Sequence, residues 1–190
     1  MKDKITQCAR DIYLKQGYTG FSMRKIAQCS GISATAIYRH FPDKETLLFN
    51  ILLTGFREFS SYLRRSEAES SPFKCLLRSS QEYMNFALEH SAYYEIMFMN
   101  TNNMTGLKKL NQKGVEEMQA TYLYHHQLVK NCQFKNQNTG KNLDQLVAAI
   151  WAFNHGFISL YLAGQLPLNK QEFISLYETQ TKNYLTRLNT

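Results

Sequence analysis

The chain has 190 residues, of which 44% are hydrophobic and 3 are proline, a composition that excludes a disordered or collagen-like protein. Its net charge of +7 permits binding to a polyanion, and residues 1–48 hold 8 Lys and Arg against 4 Asp and Glu. The N-terminus lacks the apolar segment of a secretory signal, and no apolar run approaches the roughly 18 residues of a membrane span, so we expect a soluble cytoplasmic protein.

The predicted elements are helices from the first residues onward. Apolar residues at i, i+3, i+4 and i+7 form one face of the first helix: Ile5, Cys8, Ala9, Ile12 and Tyr13. The helix signals that follow are a breaker at Gly17, an N-cap at Ser22, a breaker at Gly31, an N-cap at Ser33, a terminator at Pro42 and an N-cap at Asp43. These signals predict three helices and a fourth that runs from residue 44 to about 66.

The rest of the chain resumes the helical pattern after a polar seam at 66–71, where Ser71 and Pro72 stand in the favoured order for a helix start. Asn169 and Glu172 form a capping pair for the last helix. We expect helices at 72–90, 91–99, 105–131, 143–164 and 170–188, with a polar loop at 135–142. The predicted fold is therefore all-α, with about nine helices.

The four cysteines are scattered along the chain without a C-x-x-C spacing: Cys8, Cys29, Cys75 and Cys132. We expect them to be reduced thiols, as in most cytoplasmic proteins, rather than disulfide or zinc ligands. His125 and His126 are adjacent, so on a helix their side chains diverge by about 100° and cannot easily share a metal ion. No metal and no cofactor is expected.

The stretch around Gly31 favours a helix-turn-helix, because two helices this short bury little and are useful together for their geometry. Ala27 is small where the two helices must approach, and Gly31 tolerates the positive φ of the turn. Three apolar residues can pin the unit to its core: Ile26, Ile32 and Ile37. The second helix would enter the DNA major groove while the first crosses the backbone.

Candidate DNA contacts lie on the outward face of the second helix and at its flanks. Thr35, Tyr38 and Arg39 can point into the groove, while the other members would meet phosphates. The complete set is Ser22, Arg24, Ser33, Ala34, Thr35, Tyr38, Arg39, His40 and Lys44. In the alternative interpretation, Tyr38 is a packing residue and Lys44 is merely solvated.

The run "ARDIYLKQGYTGFSMRKIAQCSGISATAIYRHFPDKETLL" resembles the DNA-binding domain of the TetR family of bacterial one-component regulators, over residues 5–53. The resemblance implies a three-helix DNA-binding domain at 1–48, a connecting helix at 44–66, and an effector-binding and dimerisation domain at 49–190. It also implies a homodimer that pairs through helices 143–164 and 170–188. The run "WAFNHGFISL" further resembles the Trp-x-x-x-His-Gly signature of one C-terminal subgroup.

The second domain offers independent reasons for a dimer and a pocket. Apolar residues surround most of the helix at 143–164, which predicts burial on more than one side, and the last helix supplies a second apolar stripe. Aromatic and Met residues in the middle helices suit a cavity for a small apolar or aromatic effector. The candidates, each with ordinary core packing as its alternative, are Tyr83, Phe86, Tyr94, Met97, Phe98, Met118, Tyr122, Trp151 and His155.

The predicted function is a sequence-specific transcriptional regulator, most simply a repressor released from a palindromic operator by its effector; an activator is the open alternative. The chain contains no G-x-S-x-G, H-E-x-x-H or P-loop motif, and we expect no catalytic residues. The rival class is a helical ligand-binding or partner-binding protein without DNA function.

Overall fold

The computed structural model of the chain describes residues 1–99, 112–134 and 140–188, and these residues are predominantly helical. Its α-helices are α1 Lys2–Gly20, α2 Met23–Ser30, α3 Ala34–Tyr38, α4 Lys44–Arg64, α5 Pro72–Glu89, α6 Ser91–Tyr94, α7 Gln112–Asn131, α8 Gly140–Leu162 and α9 Lys170–Leu188. A 3-10 turn follows α4 at Arg65–Ala68, and a π-helical turn follows α6 at Glu95–Met99. The all-α prediction is confirmed. The start of the helix predicted at 105–131 and most of the loop predicted at 135–142 lie outside the described residues.

The described residues form two compact units. Unit 1 comprises Met1–Arg57 and His90–Met118, and unit 2 comprises Glu58–Glu89 and Gln119–Thr190. The described residues at 90–99 and 112–118 therefore group with the N-terminal helices, although the expected division placed them in the second domain. The division into functional domains at residue 48 stays a prediction.

The turn signals of unit 1 mostly act as predicted. Gly17 interrupts the helical backbone of α1 with a φ of 63°, and Gly31 adopts the left-handed conformation with a φ of 73°. The Ser33 hydroxyl accepts a hydrogen bond from the Ala36 amide at 3.0 Å, and Asp43 caps α4 through the Thr46 amide at 2.7 Å. Ser22 occupies the N-cap position of α2 but makes no side-chain cap hydrogen bond.

Cys8 and Cys29 are joined by a disulfide in unit 1, so the expectation of four reduced thiols is wrong for this pair. The two residues are 21 positions apart, and their Cα atoms are 5.9 Å apart because α1 and α2 pack side by side. Sequence spacing alone could not show this contact between two helices. Cys75 and Cys132 are free thiols, as expected.

Unit 2 packs α5, α8 and α9 around a buried polar network. The Tyr177 hydroxyl lies 2.8 Å from the Ser80 carbonyl oxygen and 2.9 Å from the Asn154 side-chain oxygen, and the Asn154 amide donates to the Ser80 hydroxyl at 3.1 Å. Complete burial raises the pKa of Tyr177 well above its ordinary value, so the hydroxyl keeps its proton. Partners on two other helices, α5 and α8, thus fix the rotation of α9.

Tyr177→Phe is expected to lower the free energy of unfolding by about 1–3 kcal/mol, because buried acceptors on Ser80 and Asn154 lose their donor. Chemical denaturation followed by circular dichroism measures the change. The control is Tyr184→Phe, which keeps the ring stacked on Phe153 at a centroid distance of 4.4 Å. Equal losses in the two variants would contradict a specific role for the network.

Helix α8 is strongly apolar, although only a small part of it is buried by the rest of the chain. Over Asn142–Leu162 its mean hydropathy is 1.2, which makes it the one described helix long and apolar enough to cross a membrane, while 22% of that window is buried. Three exposed alanines, the half-buried Gly156 and the exposed Leu160 share one face at helical spacing. We name this face the α8 stripe: Ala148, Ala149, Ala152, Gly156 and Leu160. At Gly156 an added Cβ would meet no atom within 4 Å, so the stripe is bare in the isolated chain.

Helix α9 uses its apolar stripe differently. Phe173, Tyr177 and Leu185 are fully buried inside unit 2, whereas the exposed positions of α9 are mainly polar. The residues expected to form a second dimer stripe therefore belong in large part to the core of one chain. Pairing through α9 stays a prediction.

Candidate functional site

The geometry of the candidate DNA-binding site begins with the turn between α2 and α3. The Gly31 amide bonds the carbonyls of Ala27 and Gln28, and the Ile32 amide also donates to Ala27, at 3.0 Å. Ala27 is 1% exposed, which confirms the close approach predicted there. The turn holds the start of α3 in one orientation relative to α2.

Helix α3 buries one residue, Ile37, and most of its other residues face outward. Ile37 is fully buried and anchors the helix, while Tyr38 exposes 53% of its surface and is therefore not a core residue. The other exposed candidates on this helix and its caps are Ser33, Ala34, Thr35 and Arg39. The helix ends at Tyr38, before the predicted terminator at Pro42, and Arg39 is its C-cap.

The candidate DNA contacts that flank α3 differ in their solvent exposure and in the contacts they already make within the chain. Arg24 is exposed in the first turn of α2, Ser22 is half-buried before it, and His40 is half-buried after α3. Lys44, expected at a phosphate, points its ammonium at the Tyr18 carbonyl at 2.6 Å and lies 3.6 Å from the centre of the Tyr18 ring. Burial lowers the pKa of Lys44. A phosphate contact by Lys44 would have to replace or share these contacts.

Lys4 is a basic residue beside the turn that the sequence interpretation missed. Its Nζ lies 3.7 Å from the position that a Cβ would occupy at Gly31. Lys4 precedes the helix-turn-helix by about 20 residues, so only the packing of α1 against α2 reveals the proximity. Its place at the edge of the apolar face of the first helix, four residues before Cys8, was the only signal in the sequence.

Three of the candidate effector residues form one hydrogen-bonded cluster in unit 2. The Trp151 indole N–H donates to the Tyr83 hydroxyl oxygen at 3.2 Å, and that hydroxyl lies 3.2 Å from His155 Nδ1. Burial lowers the pKa of His155, which favours the neutral ring. Trp151 remains 41% exposed and Tyr122 lies edge-on to it at 6.4 Å, so the cluster has an aromatic, uncharged and accessible side.

The other candidates fall into ordinary packing or into unit 1. Phe86 is fully buried in unit 2 against the rings of Phe59 and Tyr62, which is the predicted core alternative. In unit 1, Tyr94 is fully buried, with Phe98 at a ring distance of 5.2 Å. The remaining two, Met97 and Met118, are half-buried in unit 1.

His125 is a half-buried base on α7, adjacent to His126. Its ring hydrogen-bonds the Val147 backbone, while its Nε2 is buried with no partner among the described residues. Burial lowers the pKa of His125 to about 4. Among the residues that the structure describes, no cluster of His, Cys, Asp and Glu could hold a metal ion.

Acidification is expected to destabilise the protein through His125. In the unfolded chain His125 becomes protonated below its ordinary pKa of about 6.5, whereas in the folded chain it becomes protonated only near pH 4. The free energy of unfolding therefore decreases as the pH is lowered from about 6.5 to about 4. The expected loss is about 3 kcal/mol by pH 4. Urea unfolding at a series of pH values, compared with His125→Asn, measures it. Parallel pH curves for the two proteins would contradict this assignment.

Comparisons with known proteins agree with this geometry. Residues 5–51 match the family model described as bacterial regulatory proteins, tetR family, and residues 76–182 match the model described as Tetracyclin repressor-like, C-terminal domain. An HTH-type transcriptional regulator of Staphylococcus aureus, bovine strain RF122 / ET3-1, is 24% identical over 84% of this chain and 85% of its own. Another, from Staphylococcus aureus strain MRSA252, is 22% identical over 54% of this chain and 56% of its own.

Solved structures share the fold. A protein of unknown function from Rhodococcus sp. RHA1 has a TM-score of 0.78 at 22% identity and covers 100% of this chain and 95% of its own. The TetR family transcriptional regulator PfmR from Thermus thermophilus has a TM-score of 0.70 at 17% identity, covering 96% of this chain and 97% of its own. At these identities the likeness establishes the fold alone.

Proposed function

We propose that this chain, which belongs to the TetR family of bacterial regulatory proteins, is a repressor that a small apolar or aromatic effector releases from a palindromic operator. The observation that carries the proposal is the exposed face of α3, where Thr35, Tyr38 and Arg39 stand outward on a helix anchored by the buried Ile37. A capped helix with one buried anchor and an outward polar face suits insertion into a major groove.

The mode of DNA binding combines base and backbone contacts. Arg39 can read a guanine edge and Thr35 can contact either a base or a thymine methyl group, while the exposed amides at the start of α3 can meet a phosphate. Lys4 supplies positive charge beside the turn, and Arg24 supplies it in the first turn of α2. Binding should therefore be specific and salt-sensitive.

A second copy of the chain is the proposed occupant of the α8 stripe. The small side chains at Ala149, Ala152 and Gly156 allow two helices to approach closely, and Leu160 adds apolar contact. A two-fold dimer presents the same stripe from both subunits, and it places two recognition helices about 34 Å apart on successive major grooves. This arrangement explains why the operator should be palindromic.

The effector is proposed to bind at the Tyr83–Trp151–His155 cluster. Its three polar groups are neutral at pH 7, and its exposed members are aromatic, which suits an uncharged aromatic molecule with one polar handle. The predicted effector contacts in unit 1 remain part of the hypothesis. The subgroup resemblance at 151–160 adds no ligand identity.

Effector-induced release from DNA is proposed to act through helix α4 and through the contact between α1 and α6. Helix α4 is continuous from residue 44 in unit 1 to residue 64 in unit 2, so a shift of one end displaces the other. Within unit 1, the Arg10 guanidinium of α1 lies 5.3 Å from the centre of the Tyr93 ring of α6, which ties residues 90–99 to the DNA-binding helices. The effector needs to favour the non-binding state by only about 1–3 kcal/mol.

The test is fluorescence-anisotropy titration of the protein with fragments from its own promoter region at two salt concentrations. The proposal expects tight binding to one fragment that weakens steeply as salt rises. Equal, weak binding to all fragments would favour a ligand-binding helical protein without DNA function. Once an operator is known, compounds that raise the melting temperature are added to the complex, and an effector should dissociate it.

A further inference from the structure

Cys8 and Cys29 connect the two helices that carry the recognition helix. Cys8 lies on the buried face of α1, while Cys29 lies in the last turn of α2 and is exposed. Cys29 is two residues before Gly31, the start of the turn that orients α3. The bond therefore secures the end of α2 that supports the candidate DNA-binding surface.

We infer that Cys8 and Cys29 are a reversible thiol–disulfide modification site, oxidised by low-molecular-weight disulfides through the exposed Cys29. In a bacterial cytoplasm disulfides are normally transient, and those that form in a folded protein commonly sense redox conditions. A stable bond between a buried and an exposed cysteine can be opened and closed without unfolding, because exchange needs access to only one sulfur.

The exchange proceeds in two balanced steps. The Cys29 thiolate attacks a small disulfide RSSR, forming the mixed disulfide Cys29–S–S–R and releasing RS⁻. The Cys8 thiolate then attacks the Cys29 sulfur, forming the Cys8–Cys29 bond and releasing a second RS⁻. Two protein thiols are oxidised, one RSSR is reduced to two RSH, and the released thiolates take up the two protons. Excess RSH reverses both steps.

A basic residue lies beside the end of α2 that carries Cys29. Lys4 lies one helical turn before Cys8, and its Nζ is 3.7 Å from the Cβ position of Gly31, beside the end of α2. The other two cysteines differ: burial raises the pKa of Cys132 to about 12, and the Cys75 thiol donates to the Glu69 carbonyl at 3.5 Å.

Oxidation is expected to stabilise the DNA-binding helices without blocking them. The bond closes a segment with a sequence separation of 21, which restricts the unfolded chain, and α3 keeps its exposed face in the bonded state. The melting temperature should rise by roughly 5 °C on oxidation. Operator affinity should be equal or higher in the oxidised protein, and only this last expectation depends on the proposed function.

The experiment equilibrates the full chain, carrying Cys75→Ser and Cys132→Ser, with graded ratios of oxidised to reduced glutathione. Alkylation and mass spectrometry count the bonded fraction, and thermal denaturation gives the melting temperature at each ratio. The inference expects a reversible Cys8–Cys29 bond with a midpoint within the glutathione range, together with the rise in melting temperature. Cys8→Ser should trap a glutathione adduct on Cys29, whereas Cys29→Ser should leave Cys8 unmodified.

Two results would overturn the inference. One is the absence of a Cys8–Cys29 bond at every glutathione ratio. The other is a bond that reduced glutathione cannot open in the folded protein, which would make it a fixed structural link. The titration needs no change at the pair itself, so poor folding of Cys8→Ser would not affect it. If the glutathione titration gave the expected result but the protein did not bind DNA, that result would count against the proposed function and not against the redox inference.

Discussion

Tyr38→Ala is expected to weaken operator binding by roughly 10-fold to 100-fold while changing the free energy of unfolding by less than about 0.5 kcal/mol. The reason is the position of the side chain. Tyr38 is the last residue of α3 and exposes 53% of its surface, so much of its side chain can contact another molecule. The neighbouring Ile37, fully buried, carries the packing of the helix instead.

Fluorescence anisotropy with the operator fragment, paired with chemical denaturation, separates the two effects. Tyr38→Phe distinguishes the ring from the hydroxyl, and Leu123→Ala is the matched control because Leu123 is 60% exposed on α7. The control should bind DNA like the wild type. A Tyr38→Ala protein with unchanged affinity for every fragment would contradict the placement of α3 in the groove.

Leu160→Glu is expected to dissociate the dimer and, with it, to remove most operator affinity. Leu160 is 47% exposed in the isolated chain, so the charge is tolerated by a monomer. In a two-fold dimer it enters the interface twice, and a buried unpaired carboxylate costs several kcal/mol. The dissociation constant of the dimer should rise at least about 1,000-fold, since each 1.4 kcal/mol is a factor of ten.

Analytical ultracentrifugation over a concentration series measures that constant directly. Leu123→Glu is the control, since it places the same charge at another exposed leucine on a helix outside the α8 stripe. Gly156→Leu is a second variant that tests the same interface by steric bulk and not by charge. In a monomer its side chain would extend into open space and improve helix propensity, but in a dimer it would separate the helices. A dimer that survives Leu160→Glu and Gly156→Leu would show that another surface pairs the subunits.

The helical elements could be predicted from local signals because each depends on residues close together in the chain. Apolar spacing, the glycines at 17 and 31, and the caps at Ser33, Asp43 and Asn169 determine where helices break and begin. The same locality made the outward face of α3 readable, since one buried isoleucine fixes which positions of a short helix face outward. The family resemblance over residues 5–53 rested on the same signals, and matches to both family models confirmed it.

Contacts between distant segments were decided only by tertiary structure. The Cys8–Cys29 bond, the hydrogen bonds of Tyr83 with Trp151 and His155, and the buried Nε2 of His125 all depend on how helices turn against each other. Periodicity shows that a helix has an apolar face but not which helix covers it. For that reason the sequence by itself determined an all-α helix-turn-helix protein of the TetR family, while packing decided which cysteines meet, which aromatic residues cluster and which apolar stripe one chain leaves uncovered.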